Sequence, residues 1–149
     1  MDIPERYGIT VFCDDIREEV GGKSSYIGIY KGVMYVQADF PLTLPKLGMG
    51  VILNQKLNAF ASNIKLRIIL PDNETMELAA PSMDAQRSQL EPDAELHQLY
   101  LKVIVSPLIL KGEGSIKVRA ICDGEEVRLG ALRIIHRPAK PVASATSQA

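Results

Sequence analysis

The sequence contains no tryptophan, and only 5% of its residues are aromatic. A hydrophobic core built from these 149 residues must therefore be mainly aliphatic, and the 46% of hydrophobic residues suffice for one such core. An excess of charge of one sign is also missing, because 17 basic and 18 acidic residues leave a formal net charge of −1. The chain as a whole thus lacks the attraction for polyanions that is typical of proteins binding nucleic acid or anionic membranes.

Segments for targeting or membrane insertion are missing as well. No apolar run approaches the ~20 residues that span a bilayer. The first residues, MDIPERYG, contain neither a basic nor an apolar segment, so we expect no signal peptide. Cys13 and Cys122 do not have the spacing of a metal motif, and each ends a candidate strand. We expect core-facing free thiols in a reducing cytoplasm, with a disulfide as the open alternative.

Motifs for catalysis and cofactor binding are absent too. The chain contains no GxSxG, no GxxxxGK[ST] and no GxGxxG. The two histidines, His97 and His136, lie at the ends of candidate strands. Neither belongs to a known motif that pairs a histidine with a catalytic nucleophile. We therefore expect neither an enzyme nor a bound cofactor.

What the sequence does contain is period-two alternation, which is typical of half-buried strands. It is clearest where Ile64, Leu66 and Ile68 alternate with Lys65 and Arg67. The nine candidate strands are 8–13, 25–30, 33–37, 47–55, 64–70, 75–80, 98–105, 116–122 and 126–135. Nine short strands with little helix favour an all-β fold, a single antiparallel β-sandwich of immunoglobulin-like or C2-like architecture.

Glycine, proline and asparagine mark the connections between these strands. The segments 71–74 (PDNE) and Asp123-Gly124 predict tight hairpins, the second of type I′. Gly130 lies where the inward phase of the last strand changes, which predicts a bulge. Residues 83–90 could form one short helix. We place the domain at residues 1–136 and expect the proline-containing tail 137–149 to be disordered.

The segment FCDDIREEVGGK, residues 12–23, holds four acidic residues among six. We interpret it as a loop or single helical turn between the first two strands, because Asp15 and Glu18 have the spacing of a capping box and two glycines follow. The alternative is a calcium- or small-ligand-binding sandwich in which Asp14 and Asp15 are weak candidate metal ligands. No DxDxDG loop supports that alternative.

This segment, with the SSYIGIY that follows it, resembles the start of an uncharacterised bacterial family of domains of unknown function. The family opens with F-C-D-D-I-R-x-E followed by G-K, and the LGALRI of residues 129–134 resembles its last strand. The matching residues are Cys13, Asp14, Asp15, Arg17, Gly22, Lys23, Ile27, Gly28 and Tyr30. The resemblance covers residues 7–136, implies a single β domain and carries no assigned activity. Asp14, Asp15, Arg17 and Lys23 form the motif loop that it marks.

The outward positions of the candidate strands predict an interaction surface. Seven outward positions are basic: Lys65, Arg67, Lys102, Lys117, Arg119, Arg128 and Arg133. Only Tyr100 could stack on a base, so we expect no nucleic acid partner. Apolar side chains stand between the basic ones at Ile69, Tyr100, Ile104 and Ile121, and one apolar patch rimmed by charge is typical of an interface. The leading hypothesis is a non-enzymatic protein-binding or assembly module of the bacterial cytoplasm, with self-association included.

Overall fold

The computed structural model describes residues 3–138, with only the backbone described at Ala85. Within this range the chain forms eleven strands, one α-helix and one 3-10 turn. The elements are β1 Arg6–Glu19, β2 Lys23–Ile29, β3 Val33–Val36, β4 Leu42–Leu44, β5 Leu47–Lys56, the 3-10 turn Leu57–Ala59, β6 Ile64–Ile69, β7 Thr75–Ala79, α1 Met83–Ser88, β8 Leu96–Val105, β9 Leu108–Leu110, β10 Gly114–Cys122 and β11 Glu125–His136. The predicted all-β class with little helix is confirmed.

Two large sheets face each other across the core. Sheet 1 has the strand order β2-β1-β5-β8, and sheet 2 has the order β3-β11-β10-β6-β7. All pairs are antiparallel except β3 with β11, which is parallel. The two strands beyond the nine predicted ones, β4 and β9, pair in a small third sheet. Each has only three residues and is flanked by proline (Pro41, Pro45, Pro107), so no alternation reveals it.

The core is aliphatic, as the composition requires. Met49, Val51 and Leu53 of β5 project from sheet 1, and each is 1% exposed. They meet side chains of sheet 2 that are equally buried, among them Ile116, Val118, Leu129 and Leu132. This aliphatic layer fixes which face of every strand is the inner one, because a shift of one residue would turn the whole set toward water.

The phase of β1 differs from the sequence-based expectation. Phe12 pairs with Met49 and is buried in the core, so Phe12 marks the inner face. Ile9 and Cys13 therefore lie on the outer face of sheet 1, and Ile9 is 58% exposed. The expectation that Cys13 faces the core is wrong, although its thiol is buried. Cys122 does belong to the core, and both cysteines are free.

The predicted turns and the bulge are confirmed. Asp123 and Gly124 both have positive φ, 48° and 87°, as a type I′ hairpin requires. Asn73 supplies the left-handed residue of the hairpin between β6 and β7, with φ 68°. Lys117 and Arg119 of β10 are two positions apart, whereas their partners on β11, Ala131 and Arg128, are three positions apart. The extra residue on β11, next to Gly130, makes a β-bulge. The expected short helix is present as α1.

The described chain ends against sheet 2. Arg137, which we assigned to the tail, donates its backbone N–H to the carbonyl of Val36, and its guanidinium lies 4.1 Å from the ring centre of Tyr35. The rest of the expected tail, residues 139–149, lies outside the described residues. No helix within 3–138 is both long enough and apolar enough to cross a membrane.

The close approach of the two sheets at Gly8 gives a test of the fold. A Cβ at Gly8 would overlap the carbonyl oxygen of Ile52 and would lie 2.9 Å from a methyl group of Leu129 in the opposite sheet. We expect Gly8→Ala to lower the free energy of unfolding by about 1–3 kcal/mol, because backbone must move to admit the methyl group.

Gly112→Ala is the matched control, since no atom lies within 4 Å of the added Cβ. Its effect should stay within about 0.5 kcal/mol. Urea unfolding of the two variants and the wild type measures the difference. Equal stability of the two variants would contradict the assignment of Gly8 to the inner face.

Candidate functional site

β1 changes its partner half-way along its length. Its first part, up to Cys13, pairs with β5, and its second part pairs with β2. Residues 14–28 therefore form a hairpin arm that leaves the edge of sheet 1, and Gly21 and Gly22 turn it with φ 86° and 72°. The expectation of a loop or helical turn at Asp14–Glu19 is wrong, because these residues continue a strand. Their alternation is hidden by the run of acidic residues.

The arm lies against the outer face of sheet 1. A Cβ at Gly50 would be 2.5 Å from the hydroxyl oxygen of Tyr26, and one at Gly48 would be 3.2 Å from Cγ1 of Ile16. These two outward positions of β5 carry no side chain, which leaves room for the arm. Further along, the carboxylate of Glu18 lies 3.7 Å from Nζ of Lys102 on β8.

The corner at the base of the arm is fixed by one hydrogen bond. The hydroxyl of Tyr30 donates to Oδ1 of Asp14 at 2.6 Å. Gly28 lies beneath this bond with φ 69°, and a Cβ there would overlap the Asp14 carboxylate. Burial, and then the hydrogen bond to Asp14, raise the pKa of Tyr30 to about 12. The Tyr30 phenol is therefore a neutral hydrogen-bond donor. Asp14, a candidate metal ligand in the sequence, is engaged in a structural hydrogen bond.

Asp15 is also engaged by neighbouring groups. Nζ of Lys46 lies 2.9 Å from its carboxylate, the guanidinium of Arg17 lies at 3.8 Å, and the backbone N–H of Ile16 donates to it. The pKa of Asp15 is lowered, chiefly by the hydrogen bond from Lys46. Lys23, the fourth residue of the motif loop, pairs with Glu19 across the hairpin and is exposed.

Two further acidic turns, at Asp72–Glu74 and at Asp123, lie at opposite ends of β6 and so do not combine into one calcium site. Asp72 and Glu74 share Lys111, at 3.3 and 3.1 Å. Asp123 accepts the backbone N–H groups of Ser62 and Asn63, just before β6 begins, whereas Asp72 follows the other end of that strand. Among residues 3–138, no group of three or more His, Cys, Asp or Glu side chains could hold a metal ion.

A groove opens between the arm and β8. Its volume is about 630 Å³. The groove is lined by Ile16, Glu18, Gly22, Lys23, Ser24, Tyr26, Ile52, Tyr100, Leu101 and Lys102. Its floor is apolar and its rim is charged. Burial raises the pKa of the Tyr26 phenol, so this hydroxyl is a neutral hydrogen-bonding group beside the aliphatic lining of the groove.

An exposed apolar row continues from the groove across sheet 1. Ile9 pairs with Ile52, and Ile52 pairs with Tyr100, so the three side chains stand side by side on β1, β5 and β8. Ile9 is 58% exposed and Tyr100 is 61% exposed. We call these three residues the outer ladder. The arm lies over the rows of Gly48 and Gly50 on the same face, whereas Ile9 and Tyr100 stay exposed.

The four predicted interface residues do not form one patch. Tyr100 and Ile104 lie on β8 of sheet 1, whereas Ile69 and Ile121 lie half-buried on β6 and β10 of sheet 2. The prediction of a single surface is wrong because strand order cannot be read from alternation. Ile9, Ile52 and Tyr26 were missed. A signal for the arm was available in Gly48 and Gly50, which are two outward positions without side chains.

Six of the seven basic outward residues predicted from the sequence lie on the outer face of sheet 2. Lys102 lies on sheet 1, whereas the other six lie on β6, β10 and β11 of sheet 2. Two carboxylates on that face offset part of the charge, since Glu77 contacts Arg67 at 2.9 Å and Glu126 contacts Arg119 at 3.3 Å. This face is a mixed, solvated surface.

A buried polar network closes one end of the sandwich, and the sequence reasoning missed it. Gln55 follows the inward phase of β5 and is fully buried. Its Oε1 accepts the N–H of Ala61, which orients its amide so that Nε2 donates to Nδ1 of His97 at 3.3 Å. Nε2 of His97 then donates to Oε1 of Gln86 at 3.4 Å. Burial lowers the pKa of His97, and the ring is neutral.

Comparison with known proteins gives one relationship. The profile of a family described as "Family of unknown function (DUF6941)" matches residues 8–135. The match spans most of the chain, so the chain belongs to this family. The expected membership of a family of domains without assigned activity is thereby confirmed. A search among curated proteins found no match.

The packing of the arm can be tested with Gly50→Ala. The added methyl group would push Tyr26 away from β5 and loosen the arm. We expect faster trypsin cleavage after Arg17 and Lys23, while cleavage after Lys111, in a distant turn, keeps its rate. Unchanged cleavage at both arm sites would show that Tyr26 does not hold the arm down.

The His97 network predicts a pH dependence of stability. The pKa of His97 is below its ordinary value of 6.5 in the folded chain. As the pH falls below 6.5, the unfolded chain binds a proton that the folded chain does not, so stability falls as the pH falls. At higher pH both states are neutral and this contribution is constant.

We expect the loss of stability below pH 6.5 to be smaller in His97→Gln than in the wild type. Urea unfolding at pH values on either side of 6.5 measures it, and comparison of the two proteins cancels the titration of the carboxylates. The same loss in both proteins would exclude His97 as its source.

Proposed function

We propose that this family member is a non-enzymatic protein-binding module of the bacterial cytoplasm. The binding surface that we propose is the groove together with the outer ladder on sheet 1. The observation that carries the proposal is the ladder itself, three apolar side chains in register across three strands, two of them more than half exposed. Apolar surface of this kind, rimmed by polar groups, is typical of interaction sites.

The shape of the surface favours a protein segment as the ligand. The groove volume of about 630 Å³ lies within the range of about 300–1,000 Å³ that binding pockets occupy. One or two apolar side chains of a partner would fill the groove beside Tyr26, while its backbone would run over Ile9 and Ile52. Lys23, Glu18 and Lys102 at the rim would contact polar groups of the partner.

The chemistry of the groove favours binding over catalysis. Its ten lining residues include no histidine, cysteine or aspartate. Its one carboxylate, Glu18, accepts a hydrogen bond from Ser24 at 3.1 Å and pairs with Lys102. A general base near neutral pH would need a group that is free to exchange a proton. The cytoplasmic location is supported by two buried free thiols, which suit a reducing compartment.

The proposal is tested by affinity capture with matched isoleucine variants. Ile9→Lys places a charge in the outer ladder, whereas Ile109→Lys places one at a position of similar exposure on β9, 53% against 58%. We expect proteins captured by the wild type and by Ile109→Lys to be lost with Ile9→Lys. Circular dichroism and thermal unfolding establish that both variants are folded.

A capture profile that is the same for all three baits would contradict the proposed surface. A profile lost equally with both variants would indicate a general effect of the added charge, and this would contradict it as well.

A further inference from the structure

The two sheets do not close on each other along the side formed by β7 and β8. Leu78 of β7 pairs with Leu66 of β6, so both side chains point to the inner face of sheet 2. Leu66 is 1% exposed, but Leu78 is 42% exposed. An inward leucine that remains so exposed shows that the core is open at this edge.

The facing edge of sheet 1 is open in the same way. Leu101 and Val103 of β8 pair with Val51 and Met49 of β5 and share their inner face. The β5 side chains are 1% exposed, whereas the β8 side chains are only half-buried. A slot of about 150 Å³ lies between the two edges, lined by Leu66, Leu78, Ala79, Leu101, Lys102 and Val103. We call it the edge slot.

β8 is also a long edge strand. It has ten residues and pairs with β5 alone among the described strands. About half of its N–H and C=O groups must point away from β5, and such a row is a template for another strand. Gln86 of the segment between β7 and β8 contacts His97 near the start of β8. No backbone hydrogen bond described for that segment reaches a residue of β8.

We propose that the occupant of this side is a second copy of the chain, paired antiparallel through β8 about a two-fold axis. Sheet 1 would then run without interruption from one copy into the other, and the two edge slots would face each other. A two-fold interface brings each residue near its own counterpart, so uncompensated charge would oppose it.

The charges along this side satisfy that condition. Lys102 is the one Lys, Arg, Asp or Glu residue of β8, and it pairs with Glu18 of the arm at 3.7 Å. Glu77 is the one such residue of β7, and it pairs with Arg67 at 2.9 Å. Neither strand therefore brings a free charge to the axis. β8 contains no proline, and Glu18 pairs with its one lysine, so the usual protection of an edge strand against pairing is weak here.

The area available also suits a stable dimer. Ten strand residues extend about 33 Å, and a two-layer sandwich is roughly 20 Å thick, which gives about 700 Å² per copy. Standard interfaces bury about 800 Å² per partner. The interface rests on the edge of β8 and the edge slot. Tyr100, Leu101 and Lys102 border both this interface and the binding surface of the proposed function. Ile9 lies two strands away on β1, so a change there separates the two proposals.

The first test is the mass of the full chain in solution, measured by light scattering across a dilution series. We expect twice the monomer mass of 16.4 kDa. Leu78→Lys puts a charge into the edge slot and should shift the protein toward monomer. Ile29→Lys, on the opposite edge of sheet 1 and 54% exposed, should remain dimeric. Ile9→Lys should also remain dimeric, although it removes the proposed partner site.

The second test places the axis by disulfide formation. Cysteine is introduced singly at the outward residues Gln98, Tyr100, Lys102 and Ile104, and at Lys117 on the exposed face of sheet 2 as a control. In an antiparallel two-fold pair the outward residue nearest the axis faces either itself or the residue two positions away. Each variant is therefore oxidised alone and also mixed with its neighbour in the row. Native Cys13 and Cys122 are buried.

Rapid cross-linking of one β8 variant, or of one neighbouring pair, supports the proposal. A monomeric wild type would overturn it, whether the edge then stays free or serves another protein. A dimer that survives Leu78→Lys in folded form, or that cross-links at Lys117→Cys as fast as along β8, would overturn it too.

Discussion

The outer face of sheet 1 is shaped by the absence of two side chains. Gly48 and Gly50 leave a shallow channel on β5, and only because of that channel can the arm lie flat against the sheet with Tyr26 and Ile16. Where the side chains resume, at Ile52, the arm no longer covers the sheet. The boundary between covered and exposed apolar surface is therefore set by steric room on one central strand, and both the groove and the outer ladder lie along that boundary.

The acidic motif has a structural explanation at the base of the arm. Asp14 accepts the hydroxyl of Tyr30 above Gly28, and Asp15 is paired with Lys46. These residues are separated in sequence, yet they fix one corner at which β1 leaves β5 for β2. The residues that carry the resemblance to the family thus describe how the chain turns. They do not identify a reaction, which agrees with a family that has no assigned activity.

Local chemistry predicted local structure well. Positive φ at Asp123 and Gly124 follows from turn geometry, and the bulge at Gly130 follows from a phase change within one strand. The residues of the groove and the outer ladder could not be predicted in this way, because their positions depend on which strands pair, and no local pattern contains that information. The candidate interface residues alternate correctly on their own strands, but β8 joins a different sheet from β6 and β10.

The error at β1 has the same origin. Glycine and threonine occupy the inner positions Gly8 and Thr10, because the two sheets approach closely there, whereas the outer position Ile9 is aliphatic. Hydrophobicity alone then assigns the wrong face. The buried Gln55 could have been noticed as a polar residue on an inward phase, although its partner His97 could be identified only from the pairing of β5 with β8.

The position of β11 has a consequence for how the chain acquires its structure during synthesis. The last strand lies inside sheet 2, between β3 and β10, and its parallel partner β3 comes about a hundred residues earlier. Until β11 has left the ribosome, β3 has no neighbour, and the inner face of sheet 1 lacks the leucines that cover it. Contacts of such long sequence separation form late and make folding slow. All strands of sheet 1, and β6, β7 and β10 of sheet 2, precede β11 in the chain, but the sandwich is complete only when β11 is inserted between β3 and β10.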